Sequence, residues 1–222
     1  MAAAPTEAVQ DYLKAIHRLD GVDSVVSPTD IAECLSVRAP SVTGMLKRLA
    51  EAGWIDYKPG TGAKLTAAGL VEARRVIRRH RLIELFLTQV LGLDWSEVDA
   101  EAEALEHAIS PRLEQAIAAH LGEPLEDPHG HPIPSATGEL LHRDLQKLCD
   151  FRGGDVVTVR EAQDDHPNRL RRWRELGLVP GAVVTFVNYE PLDDLFELRV
   201  GEKVLQLGRD GLTGLRGELV GA

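Results

Sequence analysis

Between Gly122 and Gly138 the chain reads Gly-Glu-Pro-Leu-Glu-Asp-Pro-His-Gly-His-Pro-Ile-Pro-Ser-Ala-Thr-Gly. Proline fixes φ and removes a backbone donor, so a stretch this dense in proline and glycine is neither a regular helix nor a strand. It parts a sequence with helical periodicity from a final seventy residues built of short alternating runs. The 222 residues suffice for one large domain or two to three small ones. No run is long and apolar enough to span a bilayer, and Met1–Pro5 does not begin like a secretory signal. The expectation is a soluble cytoplasmic protein with no membrane partner. Cys34 and Cys149 stand far apart, in neither a disulfide framework nor a zinc-knuckle spacing.

The first helix is expected from about Thr6 to Leu19, with Val9, Tyr12, Leu13, Ile16 and Leu19 on one stripe and Asp11 beside it. Ser27-Pro28-Thr29-Asp30 opens a second helix through Leu35, and a turn through Arg38 leads to a third from Ala39 to Ala52. Val42, Met45, Leu46 and Leu49 share its inner face, while Pro40, Thr43, Gly44 and Lys47 point outward with Ser41 at the edge. Two short helices joined by a tight turn describe a helix-turn-helix. Small and hydroxylic residues at the start of the second allow close approach to bases and phosphates. Trp54–Tyr57, a Pro-Gly turn and Ala63–Thr66 read as a hairpin wing with Lys58 and Lys64 flanking its tip.

Thr66 caps a long helix to about Leu91, apolar on nearly every side after Leu82, which implies burial against more than one partner. On it His80 and Glu84 are spaced i, i+4. The next stretch, Asp99–His107, is rich in alanine and glutamate, and Trp95-Ser96-Glu97 offers a cap upstream. On a helix through Ala108, Glu103, Glu106 and His107 fall at i, i+3, i+4 with Asp99 a turn earlier; Ala102, Leu105 and Ile109 form the apolar stripe. Carboxylates and imidazole without thiolate suit manganese or ferrous iron, although affinity alone favours later transition metals. A solvated acidic face is the plainer reading of the same residues. Ser110-Pro111 begins a further helix, and these helices suit self-association. His129 and His131, in the proline-rich segment, could be ligands, but a loop histidine is usually exposed, and they are read as such and left out of the site.

Beyond it, Asp155–Glu161, Gly181–Tyr189, Leu195–Val200 and Lys203–Leu207 alternate as short strands, and Asn168–Leu176 is a helix stopped by Gly177. Such a set suggests a small barrel. Charge is uneven. Residues 1–81 hold 12 Lys/Arg against 9 Asp/Glu, residues 82–150 only 3 against 14, and the remainder 10 against 12. A net charge of −10 argues against generic nucleic-acid binding, yet the distribution lets a DNA surface and a metal site occupy different regions.

Taken together, several motifs resemble the diphtheria-toxin-repressor family of metal-dependent transcriptional repressors, and its manganese-responsive members most closely. They are Gln10-Asp11-Tyr12-Leu13, Pro40-Ser41-Val42-Thr43, Arg79-His80-Arg81-Leu82, Glu103-Ala104-Leu105-Glu106-His107 and Asp127–Pro134. Arg174–Gly181 resembles the SH3-like module of a ferrous-transport accessory protein. The resemblance implies a dimer binding two metal ions per subunit. One site would use Asp11, Glu103, Glu106 and His107; the other His80 and Glu84, with Asp99 and a group from the SH3-like domain. Iron-responsive members carry methionine and cysteine where this chain has Asp11 and Glu103, so the harder oxygens favour Mn2+ over Fe2+. Lys14 stands where short manganese repressors carry glutamate, and His166 and Arg169 where the iron type has glutamate and glutamine; of that pair only His166 could ligate.

The expected architecture is therefore mainly α with small β parts: a winged helix-turn-helix at 1–74, a helical metal-binding and dimerisation domain at 75–145 and an SH3-like barrel at 151–222. The expected function is a Mn2+-dependent dimeric repressor of metal-uptake genes at palindromic operator DNA, without enzymatic activity or small-molecule substrate. Arg38, Pro40, Ser41, Thr43, Gly44, Lys47, Lys58 and Lys64 would meet the DNA. Two rivals are a di-metal carboxylate enzyme, for which a single Glu-x-x-Glu-His is too few ligands, and a metal-storage protein.

Overall fold

The computed structural model describes residues 5–163 and 166–221. They form two compact units. The first takes in the N-terminal residues through Arg79 with Glu106–Ala108 and Pro134–Glu139; the second takes in His80–Leu105, Ile109–Ile133 and Leu140 onward.

In the first unit, helices α1 (Glu7–Arg18), α2 (Pro28–Cys34) and α3 (Ala39–Glu51) precede an antiparallel hairpin of β1 (Ile55–Lys58) and β2 (Gly62–Leu65), with Lys58 paired to Gly62. Ser27 caps α2 by accepting from the Asp30 amide at 3.1 Å, with Pro28 at the first helical position. Leu13, Ile16, Ile31, Val42, Leu46 and Leu49 interlock into one core. Their heptad-like spacing makes α3 amphipathic and leaves its other face to solvent. α4 (Ala67–Gln89) follows, and Thr66 accepts from the Gly69 amide at its start.

The second unit contains the C-terminal part of α4, α5 (Val98–Leu105) and α6 (Pro111–His120), the last capped by Ser110. α4 meets two sets of partners: Leu82 and Leu85 pack with Ile117, Ala118 and Ile133, while Ile83 and Leu87 pack with Val98 and Ala102. Three differences from the sequence reading concern α5. The helix stops at Leu105, so Glu106 and His107 lie in the turn beyond it. Glu106 is fully buried while Leu105 is 40% exposed, the reverse of the expected stripe. Ser96 donates its hydroxyl to Asp94 and does not act as a helix cap.

The C-terminal part is one antiparallel sheet in the order β3-β8-β4-β5-β6-β7. Its strands are β3 (Gln146–Lys147), β4 (Val156–Ala162), β5 (Val183–Glu190), β6 (Leu195–Val200), β7 (Lys203–Gly208) and β8 (Leu215–Leu219). α7 (Pro167–Leu176) ends at Gly177, whose φ of 81° is the left-handed conformation a helix stop requires. α8 (Arg209–Leu212) is a single turn. Val157, Val159, Phe186, Phe196, Leu198 and Leu215 fill the core with Trp173 of α7 and, from far upstream, Trp95. The proline-rich segment is irregular apart from one bridge, Glu126 to Pro132. Gly130 (φ 86°) packs so closely that an added Cβ would lie 1.8 Å from the Arg160 carbonyl oxygen, and the Ala162 amide donates to the His129 carbonyl. Among the described residues no helix is long and apolar enough to cross a membrane.

Candidate metal centres and nucleic-acid surface

Three clusters of ligand-type side chains form among the described residues: Asp11, Glu106 and His107; His80, Asp99 and Glu103; and Asp127, His129 and His131. In each, the candidate ligand atoms lie within 4.8 Å of one another. Ligands held at about 2.0–2.2 Å around one cation sit within roughly 4.4 Å of each other, so small adjustments bring these sets into range.

The first cluster belongs to the first unit. α1 supplies Asp11, whose Oδ1 is 2.8 Å from His107 Nε2. The turn after α5 supplies Glu106, with Oε1 3.4 Å from the same nitrogen and Oε2 2.7 Å from Lys14 Nζ. A fully buried carboxylate is costly unless cations compensate it. Lys14 provides one; a divalent cation between Glu106, His107 and Asp11 would be a second. The donors are two carboxylates and one imidazole, a set that accepts a borderline-hard divalent ion.

The second cluster is of another character. His80 Nε2 is 3.5 Å from Glu84 Oε1 and 3.4 Å from Asp99 Oδ1. His80 and Glu84 are buried, but the Asp99 side chain is 68% exposed. Glu103, expected with Asp11, Glu106 and His107, converges here with His80 and Asp99. His166 stands at the N-cap of α7, exposed, and enters no cluster among the described residues.

The third cluster corrects the reading of His129 and His131 as exposed loop histidines: His129 is buried and His131 half-buried. His129 stacks on Trp95, donates from Nε2 to the Trp95 carbonyl at 2.8 Å, and lies 3.5 Å from Glu84 Oε1. Asp127 accepts from the His129 and His131 amides and sits 3.5 Å from Arg81. Burial alone would raise its carboxyl, but His131, Arg81 and His129 outweigh that and hold it well below the usual carboxylate range. The signal available in the sequence was the alternating Asp-x-His-x-His spacing of Asp127, His129 and His131; its burial was not visible.

On the helix-turn-helix, Arg38, Pro40, Ser41, Gly44 and Lys47 are exposed and Thr43 is half-buried. Nothing lies within 4 Å of a Cβ built on Gly44, so packing does not demand glycine there. Lys58 is exposed on the wing, whereas Lys64 is half-buried and donates to the Asp23 carbonyl at 3.2 Å.

A winged helix-turn-helix accompanied by carboxylate–imidazole clusters defines a metal-binding DNA-binding protein. Comparison with known proteins makes this specific. Residues 5–63 match the iron dependent repressor N-terminal DNA binding domain, 66–135 its metal binding and dimerisation domain, and 146–212 the FeoA domain. The chain is 30% identical over 191 residues to the iron-dependent repressor IdeR of Mycobacterium leprae, covering 81% of this chain and 83% of that protein. It also resembles a manganese-dependent transcriptional repressor solved in complex with manganese, at 33% identity, TM-score 0.88 and coverage of 96% and 100%. ScaR with bound Zn2+ matches at 29% identity and TM-score 0.79, over 97% and 100% of the two chains. The protein belongs to the iron-dependent (diphtheria toxin) repressor family of metal-dependent, DNA-binding transcriptional repressors, as its motifs led us to expect.

Proposed function

We propose that this chain is a manganese-responsive repressor that binds palindromic operators as a homodimer in the cytoplasm and controls metal-uptake genes. The observation carrying the choice of metal is Asp11: an oxygen donor 2.8 Å from His107 beside the buried Glu106 carboxylate. A set of oxygens and one nitrogen, without sulfur, suits Mn2+, with Fe2+ the runner-up. The manganese-bound relative supports the same reading.

Two ions per subunit are proposed, one held by Asp11, Glu106 and His107, the other by His80, Asp99, Glu103 and Glu84. The third cluster already has Arg81 against its carboxylate, which makes it the weakest candidate. A bound ion supplies the positive charge that lets clustered carboxylates converge. The protein's own contribution is to bring Asp11 of α1 to His107, so that metal fixes the helix beside the recognition helix. Preferential binding to that arrangement shifts its population, with typical coupling of about 1–3 kcal/mol. Exposed Val90, Leu91, Leu93 and Leu113 supply apolar surface for dimerisation.

At the DNA, Ser41 and Thr43 are placed to meet base edges, with Arg38, Pro40 and Gly44 allowing close approach; Lys47, Lys58 and Lys64 would contact phosphates. Gly44 in a helix interior costs about 1 kcal/mol relative to alanine, and close approach to a duplex accounts for keeping it where packing does not. The deciding experiment is fluorescence anisotropy with promoter DNA from metal-uptake genes, titrated with Mn2+ and, anaerobically, Fe2+. Binding that needs Mn2+ supports the proposal; equal binding without metal overturns it, and a preference for Fe2+ selects the runner-up.

A further inference from the structure

Only one of the two ring nitrogens of His107 can serve the first cluster, and the structure contains a device that chooses it. Nε2 faces Asp11 and Glu106, while Nδ1 turns away and lies 2.8 Å from Gln10 Oε1. Gln10 is buried, and its Nε2 donates to Glu72 Oε1 at 2.7 Å. Glu72, on α4, is buried too, and its other oxygen faces Arg75 at 3.4 Å. A carboxylate only accepts, so the Gln10 amide atom beside Glu72 is the NH2 and the atom beside His107 is the carbonyl. A carbonyl also only accepts, so Nδ1 keeps its hydrogen, and Nε2, which donates to the Asp11 carboxylate at 2.8 Å, is the nitrogen that would exchange its hydrogen for a cation.

We propose that Gln10 and Glu72 are positioning residues for metal binding: a Glu72–Gln10–His107 relay that fixes the ring's orientation and presents Nε2 to the cation. Consecutive residues of α1 thereby grip the ring from both sides, Gln10 at Nδ1 and Asp11 at Nε2. The relay also ties the metal ligand to α4 through side chains that touch no metal. It rests on the reading of His107 as a ligand.

Two isosteric exchanges and their combination test it. Gln10→Glu sets two carboxylates against each other. Glu72→Gln removes the acceptor that orients the amide, so its NH2 is free to turn toward His107 and favour hydrogen on Nε2. The swap Gln10→Glu/Glu72→Gln restores a donor on α4 and an acceptor facing Nδ1. Each single variant is expected to lose roughly 10–100-fold in Mn2+ affinity, the usual effect of losing an outer partner of a ligating histidine, and the swap to recover most of it. Mn2+ binding is read by electron paramagnetic resonance of the free ion, with circular dichroism to check the fold. Long-range proton–nitrogen spectra of cadmium-loaded protein should show a slowly exchanging Nδ1 hydrogen on His107 in wild type and swap, and a fast one in Glu72→Gln. Wild-type affinity in both single variants, or a swap no tighter than the weaker single, overturns the relay. His107→Ala separates the two claims: unchanged Mn2+ affinity there would sink the ligand itself, whereas a loss there with unaffected relay variants would sink only the relay.

Discussion

The first and second clusters hold the same types of donor in different surroundings. In one, Glu106 is wholly buried, ion-paired to Lys14 and set beside a histidine held at both nitrogens. In the other, two of the three converging residues, Asp99 and Glu103, are exposed to solvent. Burial strengthens electrostatics and penalises any uncompensated charge, whereas water screens an exposed pair. On the proposed assignment, the first cluster would respond more steeply to a cation and the second would hold one more loosely.

The largest asymmetry should appear on ligand removal. Glu106→Gln or His107→Ala should cost Mn2+ affinity well beyond the roughly 10–100-fold typical of outer partners and abolish metal-stimulated DNA binding, as measured by calorimetry and anisotropy. Asp99→Asn should cost one ion about 10-fold or less and leave operator binding half-intact at saturating metal, an estimate from the small worth of exposed charges. Equal losses from both sites would break the comparison.

The third cluster sharpens it by stability. Removing one partner of a buried ion pair costs about 3–5 kcal/mol, and since the Arg81 side chain is 20% exposed, Asp127→Asn should cost about 3 kcal/mol in urea unfolding near neutral pH. Because the folded carboxyl of Asp127 is held below its ordinary value, that stability is fully present above about pH 4 and is lost as pH falls through the folded value. Wild-type and Asp127→Asn curves should thus converge on acidification; parallel curves would count against the ion pair.

A smaller effect concerns the metal's identity. Asp11→Met replaces a hard donor with a soft one and should shift the ranking in metal titrations from Mn2+ toward Fe2+, an unchanged ranking removing Asp11 as a selectivity determinant. Smallest of all, Lys58→Ala should weaken binding to operator and scrambled DNA alike and reduce the salt slope by roughly 1. A defect confined to the operator would make Lys58 a reader of sequence.

Local periodicity made the helix-turn-helix legible: α2, α3 and the hairpin lie within a residue or two of expectation because caps, apolar stripe and Pro-Gly turn all agree there. β3 and β8 escaped notice, since a two-residue strand has no pattern and Leu215–Leu219 carries a central glycine packed against β4. In the clusters, residue types were readable but grouping was not. Helical spacing put Glu103 beside Glu106, whereas the helix ends at Leu105 and sends them into different sets. Burial of Glu106 depends on Lys14, 92 residues away, and that of His129 on Trp95 and the β-sheet; long-range partners leave no periodic trace.

Trp95 has one more consequence. Its indole completes a core otherwise formed by residues from Leu148 to Leu215, so during synthesis it emerges long before the strands that will cover it. Chain leaves the ribosome at about 5–20 residues per second, and for those seconds a large apolar ring on the α4–α5 connection has no partner. The core of the C-terminal sheet thus takes in a residue from far outside the sheet. Its completion is the event that closes the segment before α5, and a chain truncated ahead of β8 would leave a sticky tryptophan exposed on the helical part it was meant to spare.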